Sequence, residues 1–106
     1  HMATDFVLIY VTNPNREEAK KVAKHLIAKK LVACANIYEN VNSLYPWKGK
    51  IADETETVLI LKTTEANYKK VEAEVEKIHS YTIPCIIKIP VSSNKKYFGW
   101  LCGEVQ

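Results

Sequence analysis

Apolar residues fall in two rhythms along this chain, and the switches between them mark out its elements. Phe6-Val7-Leu8-Ile9-Tyr10-Val11 is an unbroken run of strand-forming residues. Asn13-Pro14-Asn15 ends it, and Asn15 followed three residues later by Glu18 is a capping-box pattern that opens a helix. Ala19, Val22, Ala23, Leu26 and Ile27 then recur at helical spacing on one face, with Lys20, Lys21, Lys24 and Lys29 away from it. Thr64 is the expected cap of a second helix, whose apolar positions are Tyr68, Val71, Val75 and Ile78. Residues 83–91 read as a further strand with prolines near both ends. Asn94 opens a short terminal helix carrying Tyr97, Phe98, Trp100 and Leu101.

Between the two main helices lies one long β-hairpin. Its arms, Val32 to Tyr45 and Ile51 to Thr63, hold 14 and 13 residues around the tip Tyr45-Pro46-Trp47-Lys48-Gly49-Lys50. At about 3.3 Å per residue each arm reaches ~43–46 Å, against a radius of gyration of ~13 Å for a compact domain of this length. Such arms either bend or project onto another molecule. Glu39-Asn40-Val41-Asn42-Ser43 interrupts the alternation and is the expected bulge.

The order β-α-β-β-α-β plus a terminal helix defines an α+β domain over residues 3–106. Right-handed, unknotted connections reduce it to a ferredoxin-like sandwich with both helices on one face of a four-stranded sheet. A sheet covered on one side only should alternate apolar and polar residues. Residues 6–11, 58–61 and 85–87 do not alternate. Both faces call for burial, two helices cover only one, and the surplus points to an oligomer of this chain with itself.

Composition narrows the function more than the fold. The net charge is only +3, and the basic residues are 14 Lys with the single Arg16. That set is poorly suited to phosphate recognition, which favours the guanidinium fork, so a nucleic-acid partner is not expected. The RNA-binding variant of this strand order stacks bases on aromatics of its third strand, and residues 56–62 contain none. No apolar run approaches a membrane span. Cys34, Cys85 and Cys102 are scattered, as expected of small buried residues in a reducing, cytoplasmic setting. His1 and Met2 read as the remnant of an expression tag, and the loss of a preceding targeting segment stays open.

Candidate chemistry is sparse. No phosphate loop, nucleophile elbow, zinc-protease or C-x-x-C motif is present, and an enzyme is not expected. Trp47 at the tip serves either as a lid stacking on a ligand or as an anchor on a neighbouring subunit, the second being favoured. His79 stands at a helix end, where the dipole favours its protonated form. His25, in a basic helical stretch, is expected to be solvated.

Several segments together resemble the CutA divalent-ion-tolerance family. They are Lys30-Leu31-Val32-Ala33-Cys34-Ala35-Asn36-Ile37, Tyr45 with Trp47-Lys48-Gly49-Lys50-Ile51, Leu61-Lys62-Thr63, His79-x-Tyr81-x-x-Pro84, and Tyr97 with Trp100. The resemblance implies a homotrimer in which long hairpins pair across subunits. It also implies a non-catalytic binding or regulatory role in tolerance to divalent cations, copper among them. Tyr45, Trp47, Lys62, Tyr81 and Trp100 then belong to the inter-subunit cleft, where a metal ion or small ligand binds. Candidate metal contacts are His79, Cys85 and Cys34. The chain departs from the family's copper-site pattern, with Val11 in place of Cys and Ile78 in place of a second His. In the loop, Ser80, Thr82 and Cys85 replace Pro and two Glu, which weakens hard-ion binding; Cys85 suits a soft ion, and a buried thiol explains it equally well. The alternative reading is a trimeric signalling protein similar to the PII family, with a small ligand held between subunits.

Overall fold

The computed structural model describes residues 5–106; His1 and Met2 lie outside them. Strand β1 (Phe6–Asn13) leads through helix α1 (Arg16–Ala28) into the hairpin of β2 (Cys34–Trp47) and β3 (Lys50–Thr63). A 3-10 turn over Glu65–Asn67 introduces helix α2 (Tyr68–Ile78), followed by β4 (Ile86–Val91) and helix α3 (Lys95–Glu104). The four strands form one antiparallel sheet in the order β2-β3-β1-β4.

Pairing and burial identify the covered face. Val7, Ile9 and Val11 of β1 stand opposite Thr63, Leu61 and Leu59 of β3, and all are buried. They meet Ala19, Val22 and Leu26 of α1 and Val71 and Val75 of α2 in one continuous core. Asn15 caps α1 as expected, its side chain accepting the Glu18 N–H at 2.8 Å. Ile27, expected on the core face, is 44% exposed because the core-facing stripe closes at Leu26, just before the helix ends. Thr64 precedes the 3-10 turn and makes no side-chain cap there, so α2 begins only at Tyr68. The polar clamp at this corner is Asn67, whose buried amide reaches the Leu31 carbonyl, the Thr63 hydroxyl and the Gln106 carbonyl.

The hairpin is as long as expected, and the molecule measures 45 Å along its longest axis. Its register shifts once. Tyr38 pairs with Val58 but Val41 with Glu56, so β2 spends three residues where β3 spends two. The surplus residue accompanies Asn40, at φ 62°. Lys48 and Gly49, both with positive φ, form the two-residue turn that suits a right-twisted hairpin. Pro46 is tolerated because β2 is an edge strand. β4 starts at Ile86, later than expected from residue 83, since Pro84 lacks an N–H and the preceding loop wraps across the end of the sheet.

The second sheet face is only partly covered. At one end α3 lies over it, with Phe6 packed against Tyr97 and Phe98 and Leu101 fully buried. Beyond α3, Tyr38, Ile87 and Ile89 remain 53%, 48% and 40% exposed. Cys102 is exposed on α3 rather than buried.

His25 is not simply solvated. It contacts the Glu74 carboxylate at 2.8 Å across the α1–α2 interface, where Lys29 and Lys77 also approach. The His25 hydrogen bond, helped by the two lysines against the opposing effect of burial, holds the Glu74 carboxyl below its ordinary value. A carboxyl depressed in the folded state stabilises the fold above its unfolded value and loses that contribution as pH falls through the folded one. Urea midpoints measured across the acid range should therefore show Glu74→Gln clearly less stable than the parent near neutrality, with the gap narrowing as pH drops below the ordinary carboxylate value of 4.5. A gap constant with pH would contradict this account.

Candidate functional site

The register shift at Asn40 decides what faces what at the far end of the hairpin. It places Ser43, Tyr45 and Trp47 opposite Glu54, Ala52 and Lys50, on the same side of the sheet as Glu56. The arm curls over the open face toward the loop at residues 80–85. Between them lies a cleft of about 730 Å³. Tyr10 and Thr12 of β1 form its floor, Tyr45 and Trp47 one wall, and Tyr81 and Cys85 the other.

Two carboxylates enter this cleft from β3. Glu56 is only 7% exposed and accepts a hydrogen bond from the Tyr81 hydroxyl at 2.6 Å. Glu54, two residues along the strand, accepts one from the Tyr45 hydroxyl. Burial first, and then the bond to and charge of Glu56, push the Tyr81 phenol far above its ordinary value. It therefore remains a hydrogen-bond donor throughout the physiological range. The Tyr45 phenol is raised as well, chiefly by its bond to Glu54. Burial and the nearby Glu56 charge raise the Cys85 thiol, while a hydrogen bond with Thr12 pulls the other way. A thiol shifted in this direction is a weaker nucleophile and gives up its proton to a metal less readily.

His79 stands behind the Tyr81 wall, its ring tilted against that of Tyr81 with centroids 4.7 Å apart. Its Nδ1 accepts the Tyr81 N–H at 3.0 Å, so Nε2 carries the proton and donates to the Thr12 carbonyl at 2.8 Å. Both ring nitrogens are engaged in holding the loop to β1. A metal at either one displaces a hydrogen bond that the buried ring needs.

The remaining sequence candidates separate into two groups. Tyr45, Trp47, Tyr81 and Cys85 converge on the cleft. Lys62 and Trp100 gather at the opposite end, both against Tyr97 of α3, at 5.4 Å and 5.5 Å. Cys34 pairs with Lys62 there, whereas Cys85 lies beside the Thr12–Val58 pair. Four residues of β3 separate those rungs, about 13 Å, so Cys34 and Cys85 do not meet. Among the described residues no three His, Cys, Asp or Glu side chains cluster at metal-binding distance. Glu54 and Glu56 went unnoticed in the sequence. Their signal was the spacing Glu54-Thr55-Glu56-Thr57, which puts two carboxylates on one face of a strand that then becomes wholly apolar.

Residues 7–104 match the family model described as CutA1 divalent ion tolerance protein. The divalent-cation tolerance protein CutA of Archaeoglobus fulgidus is 44% identical over 99 residues, covering 92% of this chain and 96% of that protein. The chloroplastic CutA protein of Arabidopsis thaliana is 38% identical over 96 residues, and the chain spans about half of its length, 53%. A solved structure of the A. fulgidus protein, described as a periplasmic divalent cation tolerance protein, superposes with a TM-score of 0.92 at 41% identity, covering 95% of this chain and 99% of that one. CutA from Xylella fastidiosa superposes with a TM-score of 0.93 at 28% identity, covering 97% and 100%. The compartments named for these relatives differ, so the cytoplasmic placement stays an expectation. Among the described residues no helix is long and apolar enough to cross a membrane. The chain belongs to the CutA1 divalent ion tolerance family.

Proposed function

We propose that this protein acts as a homotrimer of ferredoxin-like sandwiches and serves, without catalysis, as a binding or regulatory component of the response to divalent cations, copper among them. The observation that carries the assembly is the partly bare sheet face. Tyr38, Ile87 and Ile89 form an apolar surface beside two unpaired edge strands, β2 and β4. Exposed edges of this kind invite pairing with another chain, and soluble monomers rarely leave such a face open. The tip of the hairpin, with Leu44, Trp47 and Ile51 exposed, is the complementary apolar element. The cleft beneath it is the ligand site, with Tyr45, Trp47 and Tyr81 around its mouth.

Ion binding in this reading is weak and soft. Cys85 and the two cleft carboxylates are the available contacts, His79 is held by its own hydrogen bonds, and Cys34 lies at the other end of the sheet. One thiol and two carboxylates already engaged by tyrosines do not make the closed shell of about four ligands that tight sites require.

Sedimentation at low micromolar concentration should give a species three chains in mass; a folded single chain would remove the assembly. Trp47→Ala should lower the stability of the trimer by about 3 kcal/mol per subunit if the indole is buried there. Unchanged melting combined with lost ligand binding would instead assign Trp47 to a stacking lid. Titration with Cu(I), Cu(II) and Zn(II) under reducing conditions should show binding weaker than about micromolar, little altered by His79→Ala in correctly folded protein. Tight stoichiometric binding abolished by that substitution would make His79 a ligand.

A further inference from the structure

The cleft has a charge that no ion pair among the described residues answers. Glu56 is among the few buried polar residues, yet its partner is a neutral phenol. Glu54 on the same face is likewise held by a phenol, that of Tyr45. The ion pairs formed among the described residues involve Glu39, Glu65, Glu72 and Glu74, and none reaches Glu54 or Glu56. This holds in a chain with 14 lysines. Buried carboxylates are normally matched by a cation, because hydrogen bonds from neutral donors offset only part of the lost hydration. The Tyr81 phenol and the Cys85 thiol are raised first by burial, and the neighbouring Glu56 adds to the shift of both.

The walls say what kind of cation fits. Tyr10, Tyr45, Trp47 and Tyr81 all line the space, and no Lys, Arg or His does. Aromatic faces beside carboxylates are the combination that recognises organic ammonium groups, the rings through their quadrupoles and the carboxylates through charge-assisted hydrogen bonds. A bare divalent ion is served less well. It needs several donors converging on one point, and among the described residues no three His, Cys, Asp or Glu side chains converge in this way. A volume of about 730 Å³ lies within the range of small-molecule sites, roughly 300–1,000 Å³, far beyond what one ion fills. An anion finds no positive group on the lining.

We propose that the cleft binds a small organic cation, its ammonium held between Glu54 and Glu56 and its apolar body against the rings of Tyr45, Trp47 and Tyr81. This rests on the reading of the cleft as the ligand site and names the class of ligand it takes.

The test is calorimetric titration of the assembled protein with benzylamine, which is cationic near neutral pH, alongside its neutral counterpart benzyl alcohol and the anion benzoate. Benzylamine should bind at least about tenfold more tightly than benzyl alcohol, since a desolvated ammonium adds cation–π and ionic attraction to the same ring contact. Benzoate should not bind. Glu56→Gln and Glu54→Gln should each weaken benzylamine about tenfold and leave benzyl alcohol unchanged. Should Glu56→Gln disturb folding, Glu54→Gln decides, since Glu54 is exposed on the arm. Equal affinity for amine and alcohol, absence of amine binding, or amine binding indifferent to both substitutions would overturn the proposal. Titrating the same samples with Cu(II) separates the two readings. Retained copper binding with no amine binding sinks the organic-cation assignment alone. Amine binding that survives where copper does not bind upholds it and takes the ion out of the cleft.

Discussion

The site in this structure depends on a single extra residue in the long hairpin. Up to Tyr38 the two arms pair in one register, and from Val41 onward in another. Side chains alternate across a strand, so a shift of one residue exchanges the two faces. Without it, Asn40, Asn42, Leu44 and Pro46 would stand on the side of Glu54 and Glu56. With it, Tyr45 and Trp47 do, and the Tyr45 hydroxyl reaches Glu54. The tight turn at Lys48-Gly49 then locks the new register at the tip. A cleft with aromatic walls and an acidic side follows from that count.

The loop opposite the tip is held by a relay of hydrogen bonds rather than by packing alone. The His79 ring bridges the Thr12 carbonyl of β1 and the Tyr81 backbone N–H, and the Tyr81 hydroxyl reaches on to Glu56 of β3. The buried His79 ring and the Glu56 carboxylate both have partners in this relay, which is the condition for such a network to rigidify a site instead of weakening it. His79 is therefore a bracket between two strands and the loop. Its place two residues before Tyr81 is accounted for by that role without any metal.

The two faces of the sheet are covered differently. The helix-covered face is closed by aliphatic residues from β1, β3, α1 and α2 and gives the protomer its core. On the other face α3 covers one end and the cleft occupies the other, leaving Ile87, Ile89 and Tyr38 between them. The solved relatives superpose on this fold across nearly the whole length of the chain. The cleft end is furnished with Cys85 and Thr82 on the loop and two phenol-bound carboxylates on the strand.

Element order, the helical core stripe, the capping Asn15, the bulge near Asn40 and the turn at Gly49 were all legible in the sequence. They follow from local periodicity and from conformations that few residue types adopt. The non-alternating strands also declared a second apolar face. Boundaries set by long-range contacts were not legible: the late start of β4, the exposure of Ile27, the uncapped Thr64 and the contact of His25 with Glu74. The cleft was legible only in part. Tyr45, Trp47 and Tyr81 are conspicuous residues in turns and loops, whereas Glu54 and Glu56 look like ordinary solvated charges until the fold buries Glu56 and brings a tyrosine hydroxyl to each. Tertiary structure alone decided that the His79 nitrogens are both occupied and that Cys34 and Cys85 lie at opposite ends of the sheet. Hydrogen-bond partners and inter-strand distances depend on register and on segments far apart in the chain, and neither is written in any local stretch of residues.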